Sequence, residues 1–165
     1  MTDNLGLTSS NTARLTIRAS YPSGLYLELT WDSPNNDVDL HLSRGNAELS
    51  NTTETCYKSN CNESAVQARA DWDNLGPGTP NLRPLGNENL GFETIGIAVP
   101  LDGEYLIRAK VSAYRESTLA TLKVFVDGNL QNEFFHDFVA VDDIWRIATI
   151  NKDEAGITVT PIDRL

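Results

Sequence analysis

The stretch WDSPNNDVDLHLS, Trp31 to Ser43, contains the pattern that decides the fold class. In its second half, DVDLHL, an apolar residue occupies every second position. Because successive side chains of an extended chain point to opposite faces, the valine and the two leucines would face a core. Asp37, Asp39 and His41 would then lie together on the opposite face. The stretch therefore predicts a half-buried β-strand that carries two like charges on one face.

The rest of the chain is dominated by similar strand patterns. Runs such as LYLELTW (Leu25 to Trp31) and EYLIRAKVSA (Glu104 to Ala113) are short and are bounded by turn residues. Asp127-Gly128 separates two alternating runs, which is among the strongest short-range signals for a hairpin. About nine strands follow from these patterns, and no segment has a convincing helical period. The sequence predicts an all-β protein, an antiparallel β-sandwich that is jelly-roll-like.

One region interrupts this pattern. Residues 44–93 show little periodicity and include a run rich in Gly, Pro and Asn. A connection of that length is uncommon in a compact domain and is usually functional or disordered. Trp72 and several leucines can anchor it, so we expect one long, ordered and decorated loop between an early and a central strand. At 165 residues, the whole chain (1–165) is predicted to be a single domain.

The charge balance restricts the classes of partner. The chain has a net charge of −10, so nucleic acid and anionic membrane surfaces would be repelled. No apolar run approaches the roughly 18 residues that a membrane span requires, and no membrane insertion is expected. A cation, a neutral glycan or a basic protein surface fits better. The alternative interpretation is that negative charge only keeps the protein soluble.

The two cysteines suggest a compartment. They lie close together in CYKSNC, within a polar region. Such a pair favours a Cys56–Cys61 disulfide that clamps a loop, and hence an oxidising environment, although a pair of free cytosolic thiols is the alternative. The N-terminal residues lack the pattern of a signal peptide, which fits a cytosolic protein or a mature segment. With the disulfide, we expect a secreted, periplasmic or cell-surface protein.

Several motifs, in order along the chain, resemble a known pattern. They are WDSPNNDVDLHL, CYKSNC, DWDNLG, GFETI and DGEYLIRAKV. Together they resemble a family of uncharacterised secreted bacterial domains with the pattern W-[DN]-x-P-x-x-D-[LV]-D-L-H-[LV], followed later by G-x-G-P-E-x-I. That family looks related to the bacterial pre-peptidase C-terminal domains, which carry a similar D-x-D-L strand on a calcium-binding jelly-roll sandwich. The resemblance covers Leu25 to Ile150 and implies a secreted module of that fold.

The resemblance also assigns individual residues. Asp37 and Asp39 match the acidic pair of the first motif, and His41 matches its histidine. Gly91 and Glu93 match the second glycine and the glutamate of the later segment. From the sequence alone, His41 is expected to be a solvated or hydrogen-bonded strand residue, with a transition-metal ligand as the alternative.

The chain departs from the family pattern in one place. Where the family has a run of aspartates, residues 83–88 are Arg-Pro-Leu-Gly-Asn-Glu, so that only Glu88 offers a carboxylate. If that run supplies calcium ligands in the family, several of them are missing from this chain.

The residues themselves also favour a cation site. Calcium takes six to eight oxygen ligands, and NNDVD (residues 35–39) offers several within one turn and strand. The long loop offers further carboxylates, and an ion that joined the two regions would neutralise the repulsion within the strand. The alternative is that Asp37 caps a turn and Asp39 faces water. The candidate calcium ligands are Asn36, Asp37, Asp39, Asp71, Asp73, Glu88 and Glu93.

No catalytic signature is present. The sequence has no G-x-S-x-G elbow, no H-E-x-x-H helix and no P-loop. Asp71 and Asp73 are too close in the chain to flank a sugar as a glycosidase pair. We therefore expect a non-catalytic accessory module, calcium-associated, that binds an extracellular protein or glycan or gives structural support. The alternatives are a carbohydrate-binding module that uses Trp72 and a hydrolase with an unrecognised site.

Overall fold

A computed structural model describes residues 24–33, 35–51, 54–57, 91–97 and 99–162, and the backbone of residues 69–71. Every regular element in these residues is a β-strand. The strands are β1 Leu25–Trp31, β2 Asp37–Arg44, β3 Thr55–Cys56, β4 Arg69–Asp71, β5 Gly91–Ile97, β6 Gly103–Ala113, β7 Thr118–Val126, β8 Asn129–Phe138, β9 Ile144–Asp153 and β10 Gly156–Pro161.

The strands form two antiparallel sheets. The first sheet has the order β4-β5-β1-β7-β8, and the second has the order β10-β9-β6-β2-β3. Their inner faces share one apolar core that includes Leu27, Leu40 and Ile107, all fully buried. The prediction of an all-β antiparallel sandwich is confirmed.

Side-chain alternation explains why β1 and β2 lie where they do. Burial alternates along all seven residues of β1, so one face packs on the core and the other is half-exposed. In β2, Val38, Leu40 and Leu42 are fully buried, as their shared parity predicts. A hairpin also forms at Asp127-Gly128, where both residues have the positive φ of a tight turn (49° and 78°).

Residues 44–93 contribute strands to both sheets. β3 pairs with Leu42 and Ser43 and lies at the edge of the second sheet. β4 pairs with β5 at the edge of the first sheet. β5 begins at Gly91, and its first residues pair with Trp31, Thr30 and Leu29 of β1.

The start of β5 is fixed by contact with an indole ring. A Cβ atom on Gly91 would lie 1.7 Å from Cε2 of Trp31, so only glycine fits there. Trp31 is 6% exposed, and its Nε1 donates to the backbone oxygen of Asn36 at 3.0 Å. The same ring therefore positions both the start of β5 and the turn that leads into β2.

The outer face of the second sheet is covered as well. His41, Ser43 and Leu106 point away from the core, yet each is buried. Thr55 lies opposite Ser43 on the neighbouring strand β3, and their hydroxyl groups bond at 2.8 Å, while Tyr57 stacks on His41. The segment between β2 and β3 also reaches this face, where the backbone oxygen of Ala47 accepts from Arg108 at 2.6 Å.

A search of the described residues for a helix long and apolar enough to cross a membrane found none.

A candidate cation site at the open edge between the sheets

The candidate site begins with an open strand edge. β3 pairs only with Leu42 and Ser43, so the adjacent part of β2 has no strand neighbour on that side among the described residues. There, the side chain of Glu93 reaches across from β5 of the other sheet. Its Oε2 accepts a hydrogen bond from the backbone N–H of Leu40 at 2.6 Å. A buried backbone donor is thus satisfied by a carboxylate, which links the two sheets.

This carboxylate is deeply buried. Glu93 is 2% exposed and shares its parity on β5 with the core residue Ile95. A buried carboxylate is costly unless donors or a cation compensate its charge. The short bond from Leu40 supplies one donor and fixes the orientation of the group.

Two further carboxylates meet Glu93 at this edge. Asp37 and Asp39, on the polar face of β2, each place a carboxylate oxygen near it, and the three oxygens lie within 4.8 Å of one another. Two oxygens bound to one calcium ion at 2.3–2.6 Å can be separated by up to about 5 Å. The spacing therefore fits a single ion, with three negative charges directed at it.

Asp39 has local partners that hold it in this position. Its Oδ2 accepts a hydrogen bond from Ser112 on β6. Lys110 lies opposite Asp39 in the register of β2 and β6, and its Nζ contacts the exposed Asp142 at 2.8 Å.

Asn36, which the sequence predicts as a calcium ligand, forms hydrogen bonds with the backbone of another turn in this structure. Its Oδ1 accepts from the backbone N–H of Arg115 at 2.7 Å, and its Nδ2 donates to the backbone oxygen of Glu116 at 2.7 Å. Asn36 is 6% exposed. Its amide therefore joins the turn before β2 to the turn between β6 and β7.

A second set of bonds fixes the same two turns. Ser33 Oγ and Asn35 Nδ2 donate to Oε1 of Glu116 at 2.7 and 3.2 Å. These two hydrogen bonds lower the pKa of Glu116. The polar residues of SPNN thus serve to hold a turn in place.

The structure describes only some of the other predicted site residues. The Cα of Asp71 lies opposite that of Thr94 in the pairing of β4 with β5, one position from Glu93 along the strand. Its side chain lies outside the described residues, as do Trp72, Asp73, Glu88 and Cys61. Cys56 lies in β3 and is 1% exposed. The disulfide with Cys61 stays a prediction.

His41 does not behave as its sequence pattern predicts. It is 5% exposed, and its ring stacks on Tyr57 with centroids 5.4 Å apart. Neither ring nitrogen has a hydrogen-bond partner among the described residues. Burial, helped by Arg108 and Lys110, lowers the pKa of His41 to about 4. The expectation that His41 is solvated is wrong, because the residue is buried and Tyr57 stacks on its ring.

Comparison of the chain with protein-family models, with curated proteins and with solved structures returned no match. The resemblance described above thus stays a prediction.

Proposed function

We propose that this chain is a non-catalytic, calcium-associated accessory module of an extracellular protein, acting in binding or structural support. The observation that supports it best is the convergence of Asp37, Asp39 and Glu93 within 4.8 Å at the open edge between the two sheets. Three carboxylates at that spacing repel one another, and a divalent cation with oxygen ligands removes the repulsion.

The ion would act as a structural link. Asp37 and Asp39 belong to the second sheet and Glu93 to the first. Coordination by both sheets would therefore close an edge that no strand pairing closes in the described residues. Extracellular calcium modules often bind at about 10⁻⁴–10⁻³ M, which suits a site of three carboxylates completed by water or other oxygens.

An extracellular location is part of this proposal. It is supported by the closely spaced cysteines and by a net charge of −10, which disfavours nucleic acid and anionic lipid as partners. A site that binds calcium at about 10⁻⁴–10⁻³ M would be filled where the calcium concentration is millimolar. An extracellular protein or a glycan remains the proposed partner class.

Calorimetric titration tests the proposal. We expect calcium to bind the chain with a stoichiometry near one, and the Asp39→Asn variant to bind at least about tenfold more weakly, since it loses one charge from the cluster. Asp137→Asn is the matched control, because Asp137 is exposed on β8 of the first sheet, away from the cluster. An absence of heat at millimolar calcium, or equal affinity for all three proteins, would rule the site out.

A further inference from the structure

A second set of polar residues lies on the outer face of the second sheet. His41, Arg108 and Arg146 occupy directly opposed positions on three neighbouring strands, β2, β6 and β9. Like charges opposed across strands are destabilising unless something compensates them. Arg108 and Arg146, opposed on β6 and β9, are the permanently charged members of this row.

Arg108 is held rigidly in place. It is 7% exposed, and one of its terminal nitrogens donates to Ser43 Oγ and, at 2.6 Å, to the backbone oxygen of Ala47. Its Nε is buried and has no hydrogen-bond partner among the described residues. Burial lowers the pKa of Arg108, Glu48 raises it and Arg146 lowers it. The charged group is thus fixed, and one donor is not satisfied.

Both arginines line a cavity of about 660 Å³ between this sheet face and the segment after β2. That volume lies within the roughly 300–1,000 Å³ of typical small-molecule sites. Asn46 and Ser50 add amide and hydroxyl groups to the lining, and Leu49 and Ile144 add apolar surface. Glu48 adds a carboxylate, so the lining combines two arginines, one acidic group, neutral hydrogen-bonding groups and apolar contacts.

We propose that this cavity binds an acidic sugar whose carboxylate lies against Arg108 and Arg146. Guanidinium groups suit planar carboxylates because their N–H donors match both oxygens. Asn46 and Ser50 would meet ring hydroxyls, and Leu49 and Ile144 would pack on the C–H face of the ring. The site and its ligand are independent of the calcium proposal.

The chemistry of the lining favours this ligand over others. A neutral sugar is disfavoured because the described residues that line the cavity include charged donors and no aromatic ring for stacking. A long polyanion is disfavoured because the chain as a whole carries a charge of −10 and would repel every part of the ligand that extends beyond the two arginines. A short ligand with a single carboxylate matches both conditions.

A nitrogen-15 NMR titration in calcium-free buffer tests the inference with D-glucuronate, D-glucose and acetate as probes. We expect saturable shifts of amides in residues 46–50 with glucuronate, and much weaker ones with glucose and acetate. Arg146→Gln, an exposed position, should weaken glucuronate binding about tenfold, because it removes a charge-assisted hydrogen bond. Arg115→Gln is the matched control, since Arg115 is exposed on a different turn.

Two further variants sharpen the test. Glu48→Gln removes the carboxylate that competes for the arginines and should tighten glucuronate binding a few-fold. Asp39→Asn should leave it unchanged, which separates this site from the cation site. The inference is overturned if glucose binds as well as glucuronate, if Arg146→Gln binds like Arg115→Gln, or if no probe shifts these amides. Acetate binding as tight as that of glucuronate would overturn the assignment to a sugar.

Discussion

The substitution Glu93→Gln separates charge from packing at the proposed cation site. Glutamine has nearly the same size as glutamate, and its side-chain carbonyl can still accept the hydrogen bond that Leu40 N–H donates to Glu93. The substitution therefore keeps the link between the sheets and removes one of three converging negative charges. Its effect should depend on calcium.

The expected magnitude follows from the geometry. The three oxygens lie at most 4.8 Å apart, and at that distance two unit charges repel by about 3.5 kcal/mol at an effective dielectric constant of 20 and by about 0.9 kcal/mol in bulk water. Closer pairs repel more strongly, and the partial exposure of Asp37 and Asp39 screens the repulsion toward the lower figure. Without calcium, Glu93→Gln relieves two such pairs, and the variant should unfold at a temperature equal to or above that of the wild type.

In the presence of calcium, the wild type should instead unfold at a higher temperature than Glu93→Gln. At ten times its dissociation constant, the ion adds about 1.4 kcal/mol to the free energy of unfolding, which raises the midpoint of a protein of this size by about 3–6 °C. If the substitution weakens affinity about tenfold, the gain at the same concentration falls to about 0.4 kcal/mol, or about 1 °C.

Differential scanning calorimetry with and without about 10 mM calcium measures both effects. Glu133→Gln is the control, because Glu133 is exposed on β8 and should keep the full calcium gain. The reasoning is refuted if the wild-type midpoint is the same in calcium and in chelator, or if Glu93→Gln keeps the wild-type increment.

Three other predictions concern residues that pack or form hydrogen bonds around the two proposed sites. Because the pKa of His41 falls from 6.5 to about 4 on folding, the unfolded chain takes up its proton first. Stability should therefore drop by about 3 kcal/mol between pH 6.5 and 4, and urea titrations should show a smaller drop for His41→Phe; equal drops would contradict the burial argument. Gly91→Ala should cost about 1–3 kcal/mol through its clash with Trp31, and clearly less in a Trp31→Leu background; additive costs in this double-mutant cycle would contradict the packing. Asn36→Ala should cost about 1–3 kcal/mol, because it leaves backbone groups of Arg115 and Glu116 without partners, and an unchanged urea midpoint would argue against that role.

The alternation of side chains was sufficient to predict the fold class. LYLELTW became β1 with the predicted bounds, and the apolar positions of VDLHL form part of the core. This worked because a sandwich strand has one buried and one open face, so its period is visible in the sequence. The hairpin at Asp127-Gly128 was predictable as well, because two adjacent residues determine its turn.

The site was only partly predictable. The sequence indicated Asp37, Asp39 and Glu93 among the candidate ligands, but their convergence depends on how β5 pairs with β1 and packs beside β2. The burial of His41 depends on the stacking of Tyr57 on its ring, which strand parity cannot reveal. The juxtaposition of Arg108 and Arg146 requires a register that shifts at a bulge between Ile107 and Arg108. What the sequence could not show concerns contacts between residues distant in the chain.

The central claim is that a cation joins the two sheets at Asp37, Asp39 and Glu93. A crystal grown or soaked in calcium, with anomalous scattering recorded, tests it most directly. We expect one anomalous peak with oxygens of all three side chains at about 2.3–2.6 Å. Density without such a peak, in a well-ordered crystal whose three carboxylates bind only water or neighbouring side chains, would contradict the account.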